Sequence, residues 1–395
     1  MFNKKSLTLA VLFSLFIYCE YFGISNKLIN SIAILYGYYL IFRLNKKELF
    51  GTGFLIGFLW FWWVGYSFSY YDLSYLIPFV VIGIGLVYGL LFYIGGLVDN
   101  IIYKVLYFFS LSYIDPFSFN WFKLELPLIN SYFGTSKIEL FILLSLSAYL
   151  VYKYNKKSII IYFSILLSLY FYNHYHTTII NKPDLKINIY NTDIDQDIKW
   201  DRSYTKQILD NNILAIEKSI KSGDDIIIFP ETSFPLVLNH QKQLENVLLK
   251  YSKNISIVLG ALYEKDDQLY NSTYLFQDNT IQIANKVVLV PFGEAVPLPK
   301  ILSDIINNAF YDGAEDYKTA KEPTTFNIKG TKFRNAICYE ATTNDIYQNL
   351  DTNYVIAISN NAWFTPSIQP TLQKLLMKYY SKKYNLYIYN VTNKG

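Results

Sequence analysis

The chain has 395 residues, of which 52% are hydrophobic, 18% aromatic and only 17% charged, against about 25% charged in an average soluble domain. That balance excludes a single soluble domain, and a net charge of +4, with lysines in short clusters instead of a stripe, gives no footprint for nucleic acid. Two distant cysteines, Cys19 and Cys338, exclude a disulfide framework and a cysteine-rich metal centre, and leave the redox compartment open.

Charge is unevenly distributed. Residues up to about 180 carry little of it, and from Asp184 onward it reaches ordinary globular levels, which predicts two domains in different solvents, 1–180 and 181–395. Lys4 and Lys5 precede an apolar stretch ending near Phe22, a pattern shared with signal peptides. Similar runs follow it, so it is read as an uncleaved first span. Segments 49–71 and 73–98 have no charged side chain, and each is long enough for a bilayer core that needs about 20 apolar residues. With weaker candidates at 6–23, 27–43, 101–115, 137–152 and 157–175, about seven spans are predicted. Seven alternating helices put Lys4/Lys5, Arg43/Lys46/Lys47 and Lys153/Lys156/Lys157 on one side. By the positive-inside rule that side is cytoplasmic, and the polar half lies outside. Trp60, Trp62 and Trp63 are read as an interfacial belt.

Beyond Pro183 the pattern alternates. β-Branched runs at 186–190, 225–229, 255–261, 335–339, 354–359 and 386–391 are separated by helical periods such as Leu209, Ile213, Ile216 and Ile220, which predicts an α/β layered domain. A hairpin is expected across 270–290, turning at Gln277-Asp278-Asn279.

Three residues here can do chemistry. A buried strand stops at Pro230 and presents Glu231 between two prolines; partial desolvation there would raise its pKa and suit it to take a proton, although alone it also reads as a loop or capping acid. Residues 334–340 read as a strand delivering Cys338 just before a helix starting near Ala341, where the helix N-terminus would favour a thiolate; alone, a lone cysteine is more commonly a buried apolar one. Lys286 ends a strand, and Glu294 follows in a Pro/Gly loop; a lysine suits an oxyanion, while an isolated one reads as surface charge. His174 and His176 lie at the boundary of the apolar half, leaving His240 alone in the α/β part, so a Cys-His pair is a poor reading. No metal or nucleotide site is visible.

Together and in this order, Glu231, Lys286 and Cys338 resemble the Glu-Lys-Cys triad of the nitrilase, or carbon–nitrogen hydrolase, superfamily. Within it, Phe229-Pro230-Glu231-Thr232, Asn271-Ser272, Lys286 with the following Leu-Val-Pro-Phe-Gly-Glu, Cys338-Tyr339-Glu340 and Ser359-Asn360-Asn361-Ala362-Trp363-Phe364 resemble apolipoprotein N-acyltransferases over nearly the whole chain. The resemblance implies a multi-span helical membrane domain followed by a nitrilase-like αββα sandwich, with Glu294, Tyr339 and Glu340 supporting the triad. It implies no cofactor, a phospholipid acyl donor, a diacylated apolipoprotein acceptor, and a place in the bacterial inner membrane with the catalytic domain periplasmic. Two departures are visible. Family members usually carry an acidic residue in the last helix of the α/β layer, where this chain has Lys382 and Lys383. They also usually continue past the stretch matched by Thr392-Asn393-Lys394-Gly395, so the sandwich is expected to be incomplete at its C-terminal end. The competing expectations are an anchored amidase using water as second nucleophile, and an inactive lipid- or lipoprotein-binding relative.

Overall fold

The computed structural model describes residues 2–176, 180–291, 293–294 and 317–395. The chain forms two compact units, Met1–Ile179 with Pro366–Tyr379, and Ile180–Thr365 with Tyr380–Gly395.

In the first unit, helices occupy the seven apolar stretches: α1 (Lys4–Tyr21), α2 (Lys27–Ile41), α3 (Lys46–Phe61), α4 (Ile77–Gly95), α5 (Ile101–Leu111), α6 (Lys137–Tyr152) and α7 (Lys156–Tyr175). Their starts are written in the sequence. Asn3, Asn26, Asn45, Asn100 and Asn155 each cap a helix, their side chains accepting from free N–H groups of the first turn, at about 1 kcal/mol per cap. By length and composition, Lys46–Tyr70 and Ser74–Gly95 are long and apolar enough to cross a membrane.

Helices α3 and α4 touch at backbone distance. A Cβ at Gly53 would lie 2.2 Å from the Tyr88 carbonyl oxygen, and one at Gly57 3.0 Å from that of Ile84. Two glycines four apart therefore make a flat stripe that admits the partner helix. Trp60 and Trp63 do not form the expected belt. Both are buried, the Trp60 indole donating to Ser14 at 3.1 Å and that of Trp63 to the Trp60 carbonyl at 2.7 Å. Phe16 and Phe122 pack on Trp60, and Trp121 on Trp63. Trp60 on α3 and Trp63 just past its end turn inward, and their rings help to fill the bundle.

Residues 120–131, between α5 and α6, are irregular yet buried throughout, so their polar groups must be satisfied internally. The Tyr38 hydroxyl donates to the Leu124 carbonyl at 2.9 Å. Glu125, wholly buried, pairs with Lys137 at 2.6 Å and accepts from the Tyr379 hydroxyl at 2.9 Å. Lys378 donates to the Asn130 side chain at 2.7 Å, which ties the 366–379 segment to this unit.

The second unit is a pair of sheets. Its strands are β1 (Ile187–Ile189), β2 (Ile226–Ile228), β3 (Phe234–Val237), β4 (Ser256–Lys265), β5 (Gln268–Gln277), β6 (Thr280–Asn285), β7 (Thr325–Ile328), β8 (Thr331–Ile337), β9 (Tyr354–Asn360) and β10 (Tyr387–Asn393); its helices are α8 (Gln196–Trp200), α9 (Arg202–Lys221), α10 (Lys242–Tyr251) and α11 (Gln369–Tyr384), the last shared with the first unit. One sheet runs β1-β2-β4-β5-β6 with β3 beside β4, and the other β10-β9-β8-β7.

Alternation explains the layering. Ile226 and Ile228 face the second sheet, where Phe326, Phe333, Ile337, Ile356 and Ile358 meet them. Ile227 and Phe229 face the other way, onto Ile216 of α9 and Leu248 of α10. On the far side, Tyr380 and Tyr384 of α11 stack on Tyr347, giving the αββα order. The expected hairpin is β5–β6, with Asp278 and Asn279 at φ 50° and 61°, the two left-handed residues that a type I′ turn demands.

Candidate active site

Strand β2 runs parallel to β1 and β4, and β8 and β9 run parallel to each other, and ligands of such sheets gather at strand carboxyl ends. The sequence places a polar residue at each of those ends: Glu231, Cys338 and Asn360.

Glu231 follows Phe229-Pro230 in a tight turn with Thr232 at φ 47°. The turn lies flat on β4, where a Cβ at Gly260 would stand 2.5 Å from the Thr232 nitrogen and 2.7 Å from the Glu231 Cα. Glu231 is 6% exposed. Its carboxylate accepts from Asn271 Nδ2 at 2.7 Å and from the Asn360 backbone N–H at 2.8 Å.

Lys286 follows β6 and is wholly buried. Its ammonium lies 2.7 Å from Glu294 and 3.8 Å from Glu231. Burial alone would disfavour the charge, but Glu294 and Glu231 outweigh it and hold the ammonium well above the usual lysine range. Glu294 is itself fixed by the Val290 N–H at 2.9 Å. Phe292 and residues 295–316, which include the rest of the Pro/Gly loop, lie outside the described residues.

Cys338 follows β8 at φ 56°, a left-handed conformation that a non-glycine residue adopts at a cost. The expected helix from Ala341 is absent. A single 3-10 turn, Cys338–Thr342, follows instead, so the helix N-terminus expected just after the sulfur is not there. The turn is held by Glu340, whose carboxylate accepts from the N–H groups of Ile337 at 2.7 Å, Val287 at 2.8 Å and Val288 at 3.2 Å. This bracket ties the turn of Cys338 to the segment after Lys286. Burial pushes the Glu340 carboxyl up to about 7, against the pull of Lys286 and those N–H groups. Burial also pushes the Cys338 thiol far up, Glu231 adds to that, and Lys286 with the Asn360 N–H opposes it. The residue nonetheless keeps partial solvent access. Tyr339 is buried beside it.

The six residues singled out from the sequence therefore sit around one site: Glu231, Lys286 and Glu294 by direct contact, Cys338 by its electrostatic coupling to all three, Glu340 through its bracket and Tyr339 by adjacency. His240 is elsewhere, 3.9 Å from Glu264. Sequence reasoning missed Lys199, which is 2% exposed and donates to the Glu231 carbonyl at 2.8 Å. It also missed Gln196, which accepts from Asn360 Nδ2 at 2.8 Å, and Gly260. Their only sequence signal is a lysine and a glutamine three apart in a short segment, which resembles any exposed helix.

Residues 187–395 match the family model described as Carbon-nitrogen hydrolase, the class that this sandwich and its Glu-Lys-Cys site define, and residues 2–173 match the Apolipoprotein N-acyltransferase integral membrane domain. Among curated proteins, the chain is 39% identical to an apolipoprotein N-acyltransferase of Wolinella succinogenes, over 100% of this chain and 95% of that protein. It is 34% identical to that of Helicobacter pylori, over 100% of this chain and 94% of that protein. Among solved structures it is similar to a carbon–nitrogen hydrolase superfamily protein of Xanthomonas campestris, at 15% identity over 54% of this chain and 77% of that one, with a TM-score of 0.40. The chain belongs to the apolipoprotein N-acyltransferase family, and its N-terminal domain makes it a membrane protein.

Proposed function

We propose that the protein moves an acyl chain from a phospholipid to the free α-amine of an S-diacylglyceryl-cysteine at the start of an apolipoprotein, through a thioester on Cys338. The observation that carries this reading is the buried Lys286, held between Glu294 at 2.7 Å and Glu231 at 3.8 Å and electrostatically coupled to Cys338, in a chain that begins with an integral membrane domain.

Because its environment holds the thiol up, Cys338 keeps its proton at rest and gives it to Glu231 as the sulfur attacks the ester carbonyl. The new C–S bond leaves an oxyanion, for which Lys286 supplies a fixed positive charge in a dry site. Collapse breaks the C–O bond. Glu231 returns the proton to the leaving oxygen, releasing a lysophospholipid and leaving the thioester. In the second half the amine attacks the thioester carbonyl, Glu231 accepts a proton from the nitrogen, and the C–S bond breaks to restore the thiol. Glu294 and Glu340 hold Lys286 and the Cys338 turn in place.

Both substrates are anchored in lipid, and the helical unit belongs with that fact. The clusters Lys4/Lys5, Arg43/Lys46/Lys47 and Lys153/Lys156/Lys157 fall at the ends of α1, α2/α3 and α6/α7. Seven spans put all three in the cytoplasm and the catalytic unit, Ile180–Thr365 with Tyr380–Gly395, on the periplasmic side of the inner membrane.

The test supplies detergent-purified protein with phospholipid and a synthetic diacylglyceryl-cysteine peptide. The reading expects peptide heavier by one acyl chain together with lysophospholipid, and neither with Glu231→Gln or Lys286→Met. Release of free fatty acid with no acylated peptide would replace transfer by hydrolysis.

A further inference from the structure

Lys199 is a buried cation that the mechanism above does not use. It lies on α8, three residues after Gln196, with its ammonium on the Glu231 carbonyl at 2.8 Å, and among the described residues no carboxylate lies within ion-pair distance of it. The acids of its own helix face away: Asp197 is exposed, and Asp195 pairs with Lys394 at 2.7 Å. A buried ammonium without a carboxylate partner is expensive, and the groups that favour its charged form are Glu231 and Cys338 of the site.

Among the described residues, the charges around the sulfur are few. The turn after β2 supplies Glu231, the segment after β6 supplies Lys286 and Glu294, the 3-10 turn of Cys338 supplies Glu340, and the end of β9 supplies the Asn360 N–H. Among the described residues and without Lys199, the buried Glu231 and Glu340 and the partly buried Glu294 face one lysine. A thiolate formed there would add to an existing negative excess. Lys199 touches the Glu231 turn directly at 2.8 Å, and Glu231 first, then Cys338, favour its charged form.

We propose that Lys199 is a second cation of the site, one that stabilises the Cys338 thiolate by its charge while its hydrogen bond holds the Glu231 turn. This rests on the reading of Cys338 as nucleophile. Lys286 serves the oxyanion, and Lys199 serves the sulfur before and after attack. Burial brings the Lys199 ammonium down to about 7, with Glu231 and Cys338 pulling against it, so its charge is present below that pH and fades above it.

The experiment measures the rate of Cys338 alkylation by iodoacetamide from pH 5.5 to pH 9 (about neutral at its centre), in a Cys19→Ser background so that one thiol reports. Lys199→Met, which is neutral and of similar length, is compared with Lys199→Arg and with Gln196→Ala, which loosens α8 without removing charge. Below pH 7, where Lys199 is charged, Lys199→Met is expected to react about tenfold more slowly, the effect of losing one nearby opposite charge. The gap should close as pH rises through 7, and Lys199→Arg should keep the fast reaction. Gln196→Ala should show no pH-dependent gap. A Lys199→Met rate that equals the parent at every pH, or differs by a constant factor at every pH, would overturn the proposal, the second result leaving Lys199 a purely structural residue. Alkylation needs no acyl donor, so it reads the Lys199 charge even where thioester formation from phospholipid fails, and that failure would count against Cys338 as acyl carrier and not against Lys199.

Discussion

Thr232 and Cys338 both sit at positive φ, 47° and 56°, and neither is a glycine. Such strain persists only where the surroundings fix it. Here the fixing groups are Gly260 beneath the Glu231 turn and the Glu340 bracket beneath Cys338. Gly260→Ala is therefore expected to push Glu231 off Lys286, lowering acyl transfer far more than it lowers the melting temperature. Lys286→Met should cost about 100- to 1000-fold in rate, and about 3–5 kcal/mol in stability because Glu231 and Glu294 lose their buried partner. Both are read by transfer assay and thermal unfolding in detergent. Glu340 makes a pH prediction. Its carboxyl stands at about 7 in the fold against 4.5 ordinarily, so the folded state holds that proton more tightly. Its contribution is fully present below the ordinary value and is lost as pH rises to about 7, a fall of about 3 kcal/mol. Glu340→Gln should flatten that part of the stability profile, and an unchanged slope would contradict the assignment. Glu231, Lys286 and Cys338 were legible in the sequence because each stands beside a strand end with distinctive neighbours. Lys199 was not, because only the tertiary fold brings α8 under Glu231.

The elements were legible in proportion to how local their causes are. The period of α9 and the β5–β6 turn are decided within a few residues, and both appear where the pattern puts them. The run after Cys338 misled because Glu340, a residue that can open a helix, bonds instead to Val287 and Val288 across the site. Trp60 and Trp63 misled because aromatic enrichment does not say which way a helix face points, and theirs points into the bundle. Strands β3 and β7 are four residues each, too short to show a period. The α3–α4 contact gives a test at this scale. Gly53→Leu places a Cβ 2.2 Å from a carbonyl oxygen and should cost at least about 2–3 kcal/mol, whereas Gly83→Leu meets nothing within 4 Å and should leave the melting temperature in detergent unchanged.

For the whole molecule, composition alone separated an apolar half from a polar one, and the contrast between the two gave the membrane reading before any motif was needed. The proposed seven spans with three basic clusters inside make a statement about sidedness. A single cysteine introduced at the exposed Lys253 of the α/β unit should react with a membrane-impermeant maleimide in cells whose outer membrane has been opened, and one at Lys156 should not; the reverse pattern would invert the topology. The central claim is the acyl-enzyme. Intact-mass spectrometry of the detergent-purified protein, wild type beside Cys338→Ala, after incubation with phospholipid and no acceptor, tests it most directly. A gain of one acyl chain that hydroxylamine removes, and that Cys338→Ala lacks, is the predicted result; a folded wild-type protein that stays at its unmodified mass would contradict it.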